Sequence, residues 1–199
     1  MLKMKKGCTV PFPEKLSEGY EVQENSIVAN VGIDKIEKII HNFIVMHDEP
    51  LFFILEIPTN LNNEEITENG NINTLHKDVY YIDGCSKDEA LTILNRARDI
   101  LINDGISSFG FGGHESGDEI MFGKYNVMTI FSHNIAVFGP FLEEHGISRS
   151  DDLITAWNTF SPEHPGNSVR YELNGTTVFD IPEMFKEWGI YLAEQREGD

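Results

Sequence analysis

The densest gathering of reactive side chains is the segment 112–119, GGHESGDE, which sets a histidine, a serine and three carboxylates side by side. Carboxylates and an imidazole held together bind divalent cations or pass protons. His114, Glu115, Asp118 and Glu119 are therefore the candidate metal ligands, and the chemistry they would support is metal-assisted hydrolysis. The segment matches no catalytic signature. Gly117 follows Ser116 directly, so this is not the GxSxG nucleophile elbow, and His114-Glu115 lacks the second histidine of HExxH. Gly110 and Gly112 open a dinucleotide-like pattern, but Glu115 stands in the place of its third glycine. A solvated glycine-rich loop between two strands accounts for the same residues.

His76 and Asp78, taken with His133, formally match the two-histidine, one-carboxylate set of non-haem iron oxygenases. Among 7 histidines and 33 acidic residues such a loose spacing arises readily by chance. The other histidines fall on a polar helix face, in a loop or at helix ends. His47 and His145 suit the negative end of a helix dipole.

Charge is the most unusual global property. Lys and Arg total 15 against 33 Asp and Glu, a formal net charge of −18. Such a surface repels nucleic-acid phosphates and anionic membranes and attracts cations and basic proteins. It predicts a basic protein as partner, with no nucleic acid and no membrane. The paired carboxylates Glu143, Glu144, Asp151 and Asp152 are the candidate partner-binding residues, and bare solubilisation is the competing explanation of the charge.

Two cysteines, Cys8 and Cys85, form neither a CxxC pair nor a disulfide framework. The lysine-rich start is followed by Pro11 and Pro13 rather than an apolar signal core, and the longest apolar run, 51–55, is far too short to span a bilayer. These features predict a cytoplasmic protein with free thiols.

The elements that must position these residues are legible in part. Apolar residues at three- and four-residue spacing predict a helix over 33–47, ended before Pro50. The run LFFILEI, 51–57, predicts a strand buried on both faces. An unpatterned stretch, 59–76, reads as a long loop, and 79–82 as a short strand. Ser86 and Glu89 form a capping box for a helix ending at Gly105, expected in left-handed conformation. Strands are expected at 109–111, 125–131 and 135–138, and a helical turn at 140–145 ended by Gly146. A helix is expected after Ser150, carrying Trp157, and a hairpin over 168–180 turning on Asn174-Gly175. A last helix runs from Asp180 with Trp188 and Leu192 on its buried face.

Strands come in runs, which predicts one α+β domain over 1–199 with a mixed or largely antiparallel sheet and four or five helices. Residues 1–31 read as irregular, and a subdivision would fall near 139–150. The expected core includes Ile40, Phe43, Phe53, Leu91, Leu94, Val127, Trp157 and Trp188.

In style across the whole chain the sequence is similar to the small, acidic, cytosolic immunity proteins of bacterial polymorphic-toxin systems. The features that carry this are one α+β domain, Asn/Ile/Lys/Glu-rich usage and the absence of a catalytic motif. The resemblance implies a non-catalytic protein that neutralises a basic toxin, such as a nuclease, by covering its nucleic-acid surface. It carries over no functional residues.

Overall fold

The computed structural model describes residues 2–60 and 75–198. In chain order the elements are β1 (Cys8–Thr9), β2 (Gly19–Gln23), β3 (Ser26–Asn30), α1 (Ile33–Met46), β4 (Leu51–Pro58), β5 (His76–Cys85) and α2 (Lys87–Asn103). There follow β6 (Ser108–Gly113), β7 (Glu119–Phe122), β8 (Val127–Phe131), α3 (Phe138–Glu144), β9 (Asn167–Ser168), α4 (Ile181–Met184) and β10 (Tyr191–Glu197). The main sheet runs β10-β5-β4-β6-β7-β8-β3-β2, and every neighbouring pair is antiparallel. The molecule is thus one α+β domain, with the antiparallel form of sheet. Among the described residues no helix is long and apolar enough to cross a membrane.

Helices α1 and α2 lie on one face of this sheet. Ile36, Ile39, Ile40, Phe43 and Ile44 give α1 a single apolar stripe, and Ile93, Leu94, Ala97 and Leu101 do the same for α2. The α2 start is fixed as its capping box requires: the Glu89 N–H donates to Ser86 Oγ at 3.3 Å, and the Ser86 N–H to Glu89 Oε2 at 2.8 Å. These stripes meet Phe53, Leu55, Phe109, Phe111, Phe122 and Ile130 from the sheet in one buried cluster. Because strand side chains alternate, the intervening residues Phe52, Ile54, Glu56, Tyr81, Glu119, Met121 and Thr129 share the opposite face. Among the described residues no long helix covers that face. The strand 51–57 is therefore not buried equally on both sides: Phe52 and Glu56 are partly exposed.

Several expectations need correction, each for a tertiary reason. Residues 1–31 are not irregular but supply β1, β2 and β3. The start of the chain is docked by side-chain bonds: Asn126 Nδ2 donates to the carbonyls of Lys3 (2.9 Å) and Val31 (2.8 Å), and Lys5 N–H donates to Asn126 Oδ1 (2.9 Å). The strand at 135–138 is a helical turn leading into α3, with Gly146 left-handed just beyond it, at φ +72°. After Ser150 there is only a short turn, Ala156–Thr159, because Asn30 Nδ2 takes the Ile154 carbonyl (2.8 Å) and the Ser150 N–H goes to Tyr20 (2.8 Å). Trp157 is consequently half exposed rather than buried.

The Asn174-Gly175 turn is present, but its flanks do not pair into a hairpin beyond Leu173 and Thr176. Val169 and Tyr171 donate their N–H groups to the Gly7 carbonyl and the Asp104 carboxylate instead, both at 2.8 Å. The last helix is a single turn, α4, and 191–197 forms the exposed edge strand β10. Strand β7 was not foreseen, since its four residues follow the polar segment directly. The long unpatterned stretch falls largely on 61–74, outside the described residues.

Candidate functional site on the open face of the sheet

The segment 112–119 is a tight, hydrogen-bonded connection between β6 and β7. Gly113 N–H donates to the Asp118 carbonyl (3.0 Å), Gly117 N–H to the Gly113 carbonyl (2.9 Å), and His114 N–H to the Pro50 carbonyl (3.1 Å). Its four candidate ligands face different partners. His114 Nε2 stands 3.4 Å from Asp83 Oδ1, and its ring lies against Phe52 with centroids 5.2 Å apart. Asp118 Oδ2 lies 3.0 Å from Nε2 of the buried His47, whose Nδ1 is 2.7 Å from the Phe43 carbonyl oxygen. Asp118 is thereby tied to α1. Glu115 is exposed, and Glu119 is a strand residue on the open sheet face.

His133 does approach this connection, since a Cβ on Gly117 would lie 3.4 Å from its Cδ2. His76 and Asp78 start β5 at the other end of the sheet, beside Pro58 and Ile57 of β4. Asp78 there accepts from Gln195 (2.9 Å) and from the Thr59 hydroxyl (2.5 Å). The histidine–carboxylate–histidine set is therefore not assembled. Among the described residues no three of His, Cys, Asp and Glu gather so as to hold a metal ion.

What the open face does bring together is a row of aromatic rings. Tyr191 and Tyr81 stack with centroids 6.5 Å apart, Tyr81 and Phe52 lie at 5.8 Å, and His114 ends the row. The floor is made by glycine: a Cβ on Gly112 would stand 2.1 Å from Phe52 Cζ, and one on Gly110 2.5 Å from Met121 Sδ. Only side-chain-free positions on β6 let Phe52 and Met121 lie down across the sheet.

Carboxylates edge this row. Asp83 accepts a short hydrogen bond from the Tyr191 hydroxyl as well as facing His114. That bond to Asp83, with burial second, pushes the Tyr191 phenol above its ordinary range. Glu119 is held above the usual carboxylate range by burial first and the Glu56 charge second, against the opposing pull of Arg196. Glu56 itself is paired, with Lys77 Nζ at 3.0 Å and Arg196 at 3.2 Å. Burial and the Glu119 charge likewise raise the Tyr81 phenol.

Glu143, Glu144, Asp151 and Asp152 lie elsewhere, around the β2 edge. Glu143 accepts from the Tyr20 hydroxyl (3.3 Å), Asp151 faces Arg149 (3.5 Å), and Glu144 and Asp152 are exposed. Sequence reasoning missed Phe52, Tyr81, Asp83 and Tyr191. Phe52 was hidden in an apolar run, and Tyr191 reads as helix core when the pairing of β10 with β5 is unknown. The chain matches no protein-family model, and neither a curated protein nor a solved structure is significantly similar to it.

Proposed function

We propose that this is a non-catalytic cytoplasmic binding protein whose partner is a basic protein, and that it acts as an immunity-type neutraliser of a basic toxin. The observation that carries the reading is the aromatic row Tyr191, Tyr81 and Phe52 edged by Asp83 and Glu119 on a sheet face that no long helix among the described residues covers. Ring faces attract guanidinium and ammonium groups, and neighbouring carboxylates complete their hydrogen bonds. The net charge of −18 adds long-range steering of a basic partner. Two buried, unbridged thiols are consistent with a reducing compartment.

The test is capture of partners from the source cytosol at low and high salt, followed by kinetics with the purified partner. Screening shrinks the Debye length from about 10 Å at 0.1 M to about 3 Å at 1 M, so association should slow markedly. Two charge-reversal sets separate the surfaces: Asp83→Lys beside the aromatic row with Glu115→Lys in the connection between β6 and β7, and Glu143, Glu144, Asp151 and Asp152 to Lys at the β2 edge. The first set should slow association by roughly tenfold or more and the second by less. Tyr81→Ala should act chiefly on dissociation. A neutral or acidic partner, or capture indifferent to salt and to both reversal sets, removes the reading.

A further inference from the structure

We propose that a groove at the other end of the open face binds a small molecule combining a planar ring with an anionic group. The groove has a volume of about 320 Å³ and lies between Met121, Val127 and Thr129 of the sheet and the indole of Trp157, with Ser108 and Lys124 on its rim. Ligand sites of this size are typically apolar concavities with a few convergent polar groups. Tyr191, Tyr81, Phe52, Asp83 and Glu119, which carry the partner reading, do not line it, so the proposal stands apart from that reading.

Three features point to a ligand. The first is Lys124. Among the described residues Lys3, Lys35, Lys77, Arg98, Arg149, Lys186 and Arg196 have acidic partners, and of the basic residues without one Lys124 is the one that lines this groove. No carboxylate among the described residues lies within ion-pairing distance of Lys124. The nearest acid on the groove wall, Glu56, is already engaged by Lys77 and Arg196. Behind the wall the buried ammonium of Lys5 donates to the Gly123 carbonyl (3.2 Å), which adds positive potential. The second feature is a pair of hydroxyls, Ser108 and Thr129, neither with a hydrogen-bond partner among the described residues.

The third is the indole. Trp157 is 50% exposed, yet it is held edge-on by Tyr125 at 4.9 Å and Phe160 at 5.6 Å. A fixed exposed ring is a stacking platform that loses little freedom on binding. The turn carrying this arrangement is itself held in an unfavourable conformation. Tyr125 and Asn126 are both left-handed, at φ +54° and +64°, and are kept so by the Asn126 hydrogen bonds to Lys3 and Val31. That turn places Lys124 on the groove and the Tyr125 ring behind Trp157.

The ring of the ligand would stack on Trp157 over Met121 and Val127, and its carboxylate or phosphate would meet Lys124 and the two hydroxyls. Calorimetry on the full chain tests this with 2-naphthoate and adenosine monophosphate, which separate a carboxylate from a phosphate source. The controls are 2-naphthylmethanol, a ring without charge, and inorganic phosphate, a charge without a ring. At least one ring-bearing anion should bind saturably and shift the Trp157 indole N–H resonance. Both controls should bind at least tenfold more weakly. Lys124→Met should weaken binding tenfold or more, whereas Lys124→Arg should stay within about threefold. Should Lys124→Met fail to fold, the Ser108→Ala, Thr129→Val double variant reads the same site and should lose at least fivefold. The proposal is overturned if neither anion saturates, if the uncharged alcohol binds as tightly, or if these variants bind like the parent.

Discussion

A Cβ placed on Gly105 would stand 2.0 Å from the carbonyl oxygen of Gly7. The two glycines pass backbone against backbone where the start of the chain crosses the end of α2. The Gly7 N–H donates to the Asn103 carbonyl (2.8 Å), and Gly105 N–H and the Gly7 carbonyl both bond to Val169 (3.1 and 2.8 Å). Gly105 is not left-handed, and the helix is capped instead by Asp104, whose N–H reaches the Ile100 carbonyl. The glycine is required by close approach, not by its dihedral angles.

Substitution at Gly105 should reflect that difference. Both Gly105→Ala and Gly105→Asn should destabilise by about 2 kcal/mol or more, because overpacking forces the backbones apart. A left-handed position would tolerate asparagine. Denaturant unfolding of the two variants decides between these causes, and near-parent stability of the asparagine variant would count against the close contact.

Glu119 ties stability to pH. Its folded-state pKa lies above the ordinary value because burial and Glu56 oppose ionisation. A carboxyl raised in this way costs nothing when protonated in both states, and its full penalty is present once pH exceeds the folded value. The variant E119Q should therefore be more stable than the parent at neutral pH. The difference should close as pH falls below the ordinary carboxylate range. Unfolding midpoints from pH 3 to 8 measure it, and a constant difference would contradict the assignment.

Lys5 gives a second pH signature at the alkaline end. It is 1% exposed, sits over the Phe122 ring at 4.6 Å and donates to Gly123, and burial lowers its pKa from 10.5 to about 8. Below pH 8 the folded protein carries the full cost of a buried charge. Between 8 and 10.5 only the unfolded chain keeps the proton, and above that range neither state does, so the cost fades as pH rises. The shift corresponds to roughly 3 kcal/mol, against which the lost hydrogen bond costs about 1 kcal/mol. Lys5→Met should thus stabilise by about 1–2 kcal/mol at pH 7, with the gain shrinking between pH 8 and 10.5.

The two cysteines should be silent in the native protein. Both are buried and unbridged, and burial raises both thiols, Cys85 to about 11. At pH 8 the Cys85 thiolate fraction is lower than at an ordinary thiol by roughly a hundredfold, and reaction with a thiol reagent should slow at least in proportion. In denaturant both thiols should titrate rapidly. Recovery of fewer than two under those conditions would point to a disulfide.

The apolar stripes of α1 and α2, the Ser86–Glu89 capping box and the alternation in β6 were legible in the residues themselves. Each depends on interactions within one or two turns or on a period that burial imposes directly, so the α+β class and most of the buried core followed from them. The pieces that decide the surface were not. YLAEQRE becomes β10 because β5 offers it hydrogen bonds, and that pairing brings Tyr191 beside Tyr81. Residues 168–173 leave their hairpin because Gly7 and Asp104 claim their backbone donors. Trp157 stays at the surface because Asn30 takes the carbonyl a helix would need. Which strand faces water, and therefore that Phe52 and Glu56 belong to a site while Phe53 and Leu55 belong to the core, was decided by where the two helices could pack. Such choices rest on partners more than a hundred residues away in some cases, such as Asn30 and Ile154, and no local pattern encodes them.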